Sequence, residues 1–174
     1  MAALPKTLKV FLIGLPGSGK TTLGRQVADE AHIKFVDLDV EIEKEEFKKV
    51  EEIFSEKGEP YFRELEKRVL KKFCDLDSGF IMATGGGAPC YDHNLELMKK
   101  TGVVVFLDVP AKEISNRILK QSQSRPLLKH QTPDSLKDRI EFLRSQRISF
   151  YRQAHHVLTG NQITAKGIID LIVS

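Results

Sequence analysis

The chain lacks tryptophan and carries only two cysteines in 174 residues. Cys74 and Cys90 stand 16 positions apart and form no C-x-x-C pair. That excludes a disulfide-stapled framework and reads as ordinary thiols in a reducing compartment. No apolar run approaches the length of a membrane span. The N-terminal apolar run, near Lys6 and Lys9, leads directly into a glycine loop, so it reads as a strand rather than a secretion signal. Charge of neither sign dominates. Lys and Arg number 27 against 24 Asp and Glu, for a net charge of +3. This mildly basic balance suits anionic small molecules without demanding nucleic acid. The arginines are dispersed, and no aromatic-basic stripe marks a nucleic-acid module. There is no internal repeat and no low-complexity linker. The expectation is one cytoplasmic domain spanning 1–174, large enough for a real core.

What the chain does have is GLPGSGKTT, Gly14 to Thr22. It fits G-x-x-x-x-G-K-[ST] through Gly14, Gly19, Lys20 and Thr21. The apolar run Val10-Phe11-Leu12-Ile13 precedes it, and a helical pattern with Leu23, Val27 and Ala31 on one face follows. Strand, glycine loop and helix together outweigh the alternative of a glycine-rich turn with a chance lysine. In such a loop the backbone N–H groups point inward and the helix adds its positive dipole end. Lys20 is expected to face ligand and reach the outer phosphates, and the Thr21 hydroxyl to ligate Mg²⁺. A guanine-reading N-K-x-D element is absent, which argues against a GTP-driven switch.

Five strands are expected: Leu8–Ile13, Ile33–Val36, Phe80–Ala83, Val103–Asp108 and His155–Leu158. Helical patterns separate them. One starts near Pro60 with Leu65, Val69 and Phe73 on a face; a later one aligns Ile140, Leu143, Arg147 and Tyr151. Alternating strands and helices predict a parallel sheet covered on both faces, with ligands at the carboxyl ends of the strands. The charged stretch Glu41–Glu52 reads as a solvated helix face with a Glu45–Lys49 pair at i,i+4. The polar segment from Gln121 to Pro133 reads as a loop between helices.

The residues after each strand carry the candidate acceptor site. Asp37 and Asp39 follow the second strand, in VDLDVEIE; they suit Mg²⁺ and a substrate hydroxyl, or a helix N-cap. Gly85, Gly86 and Gly87 follow the third, where a backbone close to ligand explains more than a turn does. In GEPYFRELE, Arg63 and Glu66 lie one turn apart and can pair, either in a site or at the surface. Arg125 sits in SRPLL. Arg147 shares its face with apolar residues, points inward and needs an anion. Asp108, ending the fourth strand, reads as structural.

These pieces, GLPGSGKTT, the D-x-D of VDLDVEIE, GE-x-x-FR-x-x-E, TGGGA, RPLL and R-x-x-x-YR, run in order over residues 10 to 152. In that combination the chain resembles the shikimate kinases. The resemblance implies a nucleoside-monophosphate-kinase-like α/β fold, a five-stranded parallel sheet of order 2-3-1-4-5. Substrate-binding helices would lie at about 37–75 and a lid at about 120–133. It implies transfer of the γ-phosphate of ATP to the 3-hydroxyl of shikimate, with Mg²⁺. ATP would be held by Gly14, Leu15, Pro16, Gly17, Ser18, Gly19, Lys20, Thr21, Thr22, Arg117 and Arg125. Shikimate would be held by Asp39, Arg63, Gly85, Gly86, Gly87 and Arg147, with Glu66 bracing Arg63. Thr21 and Asp37 would serve the metal, and Lys20, Asp39 and Arg125 would be catalytic. The expected partners are these small molecules alone, with no nucleic acid and no membrane, and the chain is expected as a monomer. One departure falls in the last loop, where Leu158 and Thr164 replace the family's Asp and Pro, so no adenine contact is assigned there. The rivals are a gluconate or nucleotide kinase on the same fold, or an adaptor that has lost activity. Lys20, Asp39 and Arg125 argue against the loss.

Overall fold

The computed structural model describes residues 5–122 and 133–173. Strand β1, Lys9–Ile13, is apolar from Val10 onward because both its faces are covered. It lies at the centre of a sheet ordered β2-β3-β1-β4-β5, the other strands being β2 Lys34–Asp37, β3 Phe80–Ala83, β4 Val103–Asp108 and β5 His156–Thr159. Every pairing is parallel; Val10 is in register with Ile81 on one side and Val103 on the other. The strands expected from sequence stand within a residue of these bounds.

The two-residue period of the strands divides the core. Phe11, Ile13, Met82, Val104 and Phe106 project into the larger layer. There they meet helices α2 (Leu38–Glu46), α3 (Val50–Cys74), α4 (Asn94–Thr101), α5 (Ala111–Ser122) and α6 (Pro133–Tyr151). Val10, Leu12, Ile81, Val105 and Leu107 project to the other side, against α1 (Lys20–Ala31) and α7 (Ala165–Val173). Among the described residues no helix is long and apolar enough to cross a membrane.

Two local features shape the acceptor side. α3 is two helical stretches joined at Gly58, whose φ of 79° breaks the ladder; Pro60 follows at the start of the second stretch, where its missing N–H costs nothing. The charged stretch Glu41–Glu52 is not one helix face. α2 ends at Phe47, a non-glycine residue at φ 54°, and α3 begins at Val50 with the Glu52 carboxylate accepting from the Lys49 N–H at 2.7 Å. The expected Glu45–Lys49 pair is therefore not made. Glu45 pairs with Lys72 and Arg68, and Lys49 with Glu43 at 2.8 Å. The left-handed Phe47 ends α2 before Lys49, which is the N-cap of α3, so positions 45 and 49 do not share a helix.

Candidate active site

The carboxyl ends of β1, β2 and β3 meet in one place. The loop after β1 turns through Gly14, Gly17 and Gly19, all at positive φ, with Gly19 as the N-cap of α1. Lys20 is buried. It donates to the carbonyls of Gly14 at 2.8 Å and Leu15 at 2.9 Å. Burial lowers its pKa to about 8, an effect opposed by Asp39 and Asp37 and aided by Arg147. Lys20 also lines the cleft beside the loop, so the same side chain that bonds these carbonyls borders open space.

The Thr21 hydroxyl donates to Asp37 Oδ2 at 3.0 Å. The other Asp37 oxygen accepts from Val40 N at 3.4 Å, so Asp37 also caps α2. Asp37 therefore serves as the N-cap of α2 with one oxygen and meets the Thr21 hydroxyl with the other. Asp39, one residue into α2, has its pKa raised by burial first and by Asp37 second, with Lys20 opposing.

Thr84 ties the third loop to β1, its hydroxyl donating to the Leu12 carbonyl at 3.1 Å. Each glycine that follows lies where a side chain would strike a functional group. A Cβ on Gly85 would lie 3.1 Å from Asp39 Oδ1 and 3.2 Å from Glu66 Oε1. On Gly86 it would lie 2.9 Å from both Arg147 Nη1 and Pro16 Cδ, and on Gly87 2.6 Å from Arg63 Nη2. Three consecutive glycines therefore let one loop abut Asp39, Arg147, Arg63 and the phosphate loop at once.

Arg63 stands in the second stretch of α3. Its Nη1 donates to Glu66 Oε2 at 2.7 Å, while Nε and Nη2 donate to Glu59 Oε1 at 3.1 and 3.0 Å. The Tyr91 ring lies 4.0 Å from its guanidinium carbon. Glu66 is fully buried with Oε1 unpartnered, and burial raises its pKa to about 7 against the pull of Arg63. Arg147 is half-buried, and among the described residues it enters no ion pair within 4.0 Å. It remains available to an anion.

On the other side of the phosphate loop a cleft of about 410 Å³ is lined by Gly17, Gly19, Thr22, Arg117, Ile118 and Ile163. Arg117 donates to the Ser18 carbonyl at 3.3 Å and pairs with Glu113. Asp108 is structural, accepting from Arg144 Nη2 at 2.7 Å. Arg125, and all of the expected lid beyond Ser122 and before Pro133, lie outside the described residues. Sequence reasoning gave no role to Glu59, a fixed position of GE-x-x-FR-x-x-E, and did not single out Tyr91 or Ile163. Only Glu59 left a signal, its i,i+4 spacing to Arg63.

A phosphate loop, a carboxylate and two arginines thus meet across one glycine loop. A family model described as shikimate kinase matches residues 16–174. Shikimate kinase from Bacteroides fragilis is 42% identical over 166 residues, covering 95% of this chain and 92% of that protein. A crystal structure of shikimate kinase from Bacteroides thetaiotaomicron superposes with a TM-score of 0.82 at 37% identity, over 94% of this chain and 96% of that one. Shikimate kinase from Acinetobacter baumannii, solved in complex with shikimate, gives 0.80 at 34% identity, over 97% and 92%. Likeness of this extent, over the residues that build the site, places the chain in the shikimate kinase family.

Proposed function

We infer that the chain transfers the γ-phosphate of ATP to the 3-hydroxyl of shikimate. The observation that carries this reading is the glycine loop, against which Asp39, Arg63 and Arg147 all lie, with Pro16 of the phosphate loop touching the same backbone. A relative solved with shikimate bound supports the same acceptor. Phosphoryl transfer asks little covalent chemistry of a protein; it asks for position and neutralised charge.

Lys20 exchanges the two loop carbonyls for β- and γ-phosphate oxygens when ATP binds, which carries its charge to the transferring group. Asp39 holds the acceptor hydroxyl and accepts its proton as the P–O bond forms. Its raised pKa brings it closer to a working base than an exposed carboxylate is. Arg63 and Arg147 grip the acceptor carboxylate, for which guanidinium forks are suited. Arg117 packs on the adenine in the cleft it lines, with Ile163 as an apolar neighbour. Arg125 is assigned to the transferring phosphate on the family resemblance. Thr21 and Asp37 fit Mg²⁺: a hydroxyl and a carboxylate 3.0 Å apart offer hard oxygen ligands beside the phosphates. The ion would neutralise phosphate charge when bound. The chain is proposed to act as a monomeric cytoplasmic enzyme.

The test is ADP release from ATP and Mg²⁺ with a panel of acceptors: shikimate, gluconate, quinate and nucleoside monophosphates. Shikimate is expected to give the highest kcat/KM. A higher value for another acceptor, or none above background, refutes the reading.

A further inference from the structure

We propose that the Tyr151 hydroxyl is a positioning group for the acceptor clamp, holding the Gly86 carbonyl and the Arg147 guanidinium in fixed relation to the phosphate loop. This rests on the reading of Arg147 as a ligand of the acceptor carboxylate.

Tyr151 ends α6 and is fully buried. Its ring packs on Phe106 of β4, with centroids 5.0 Å apart. Its hydroxyl donates to the Gly86 carbonyl at 2.6 Å. Gly86 is also where Arg147 Nη1 and Pro16 Cδ each come within 2.9 Å of a would-be Cβ. Three separate pieces of chain therefore converge on one peptide: the phosphate loop, the glycine loop and α6. Tyr151 follows Arg147 by one helical turn, and the guanidinium's charge and hydrogen bonding act on the phenol oxygen.

A fully buried hydroxyl is unfavourable unless it is bonded, and phenylalanine would fill the same apolar space without that cost. The bond to Gly86 offsets the cost, so the question is what the bond does. Burial pushes the phenol up to about 12, so it remains a donor throughout the neutral range. Donating to Gly86 O, it stops the glycine loop from drifting away from Pro16. Lying beside Arg147, the same oxygen limits where a guanidinium with no ion pair among the described residues can swing. Without the hydroxyl, the packing of the ring survives but the clamp and the loop lose their common tie.

The test compares Tyr151→Phe with the unaltered full chain. KM for shikimate should rise roughly 3- to 10-fold, the effect of one hydrogen bond, with KM for ATP changed less than about twofold. Against an acceptor with the same ring hydroxyls but no carboxylate, the two proteins should give equal kcat/KM, because there is no carboxylate to misplace. Adding Tyr151→Phe to Arg147→Lys should change KM for shikimate by less than about twofold. An unchanged KM in Tyr151→Phe overturns the proposal. So does equal loss on both acceptors, or failure to fold, since either makes the hydroxyl merely structural. If Arg147→Lys itself leaves KM for shikimate unchanged, the carboxylate reading of Arg147 fails, and this inference with it. If Arg147→Lys raises KM and Tyr151→Phe does not, the clamp stands and only the inference fails.

Discussion

At the scale of the residue, Lys20, Arg63 and Glu66 are each held by partners within the protein. Lys20 rests on two carbonyls of its own loop. Lys20→Ala removes a preorganised cation and should lower kcat about 10²- to 10³-fold, while circular dichroism still reports a folded chain; near-normal turnover refutes the role. Asp39→Asn keeps the shape of the side chain and removes its charge and basicity. Shikimate-dependent turnover should collapse with ATP affinity little changed, and survival within about threefold excludes both base and essential orienter. Arg63→Lys should raise KM for shikimate by more than it lowers kcat, because a carboxylate away from the reacting bond is bound alike in ground and transition states. A fall in kcat at constant KM contradicts that. Glu66 makes a stability prediction. Its pKa is raised from 4.5 to about 7, chiefly by burial. The folded chain then binds this proton more tightly than the unfolded chain, so the associated stability is complete below about 4.5 and is lost as pH rises through about 7. The wild-type melting temperature should fall more steeply over that window than that of Glu66→Gln, by an amount worth at most about 3 kcal/mol. Parallel melting profiles would show that Glu66 titrates as it does in solution.

At the scale of the element, the glycine loop after β3 is defined by what lies against it. The guanidinium of Arg63 cannot retreat freely from a new side chain on Gly87, because Glu59, Glu66 and Tyr91 hold it from other directions. With 2.6 Å between the would-be Cβ and Nη2, Gly87→Ala must displace the clamp. We expect KM for shikimate to rise at least about tenfold, a misplacement effect, with KM for ATP and the melting temperature nearly unchanged. An equal rise in both KM values would mean that the loop serves the nucleotide instead. α3 shows the same logic in the backbone: the break at Gly58 lets the second helical stretch start where Glu59, Arg63 and Glu66 fall on the side facing the site.

At the scale of the whole molecule, much of the design was legible in the chain. β1 and β4 are nearly unbroken apolar runs between polar flanks, so their bounds follow from burial on both faces. The alternation of such runs with helical patterns implied the doubly covered parallel sheet, and the motif resemblance implied its strand order. Asp39 and Gly85 to Gly87 stand out in the sequence by position after a strand, Arg63 and Glu66 as a pair at a helix start, and Arg147 by its inward face; the structure brings them together. What stayed hidden depends on contacts remote in sequence or on unusual backbone. Phe47 takes a left-handed conformation without a glycine, so the turn between α2 and α3 left no trace, and Glu45 found Lys72 instead of Lys49. Tyr91 reaches Arg63 across 28 positions, and Ile163 enters the cleft beside the phosphate loop from the far edge of the sheet. Periodicity cannot report either.

This arrangement is proposed to deliver phosphate to one oxygen of one acceptor. Phosphorus-31 and proton NMR of the product formed from ATP, Mg²⁺ and shikimate tests it most directly. A single phosphomonoester is expected, its phosphorus coupled to the ring proton on carbon 3, accumulating in step with ADP. Phosphate on another ring oxygen, or ADP formed with free phosphate and no ester, would contradict it.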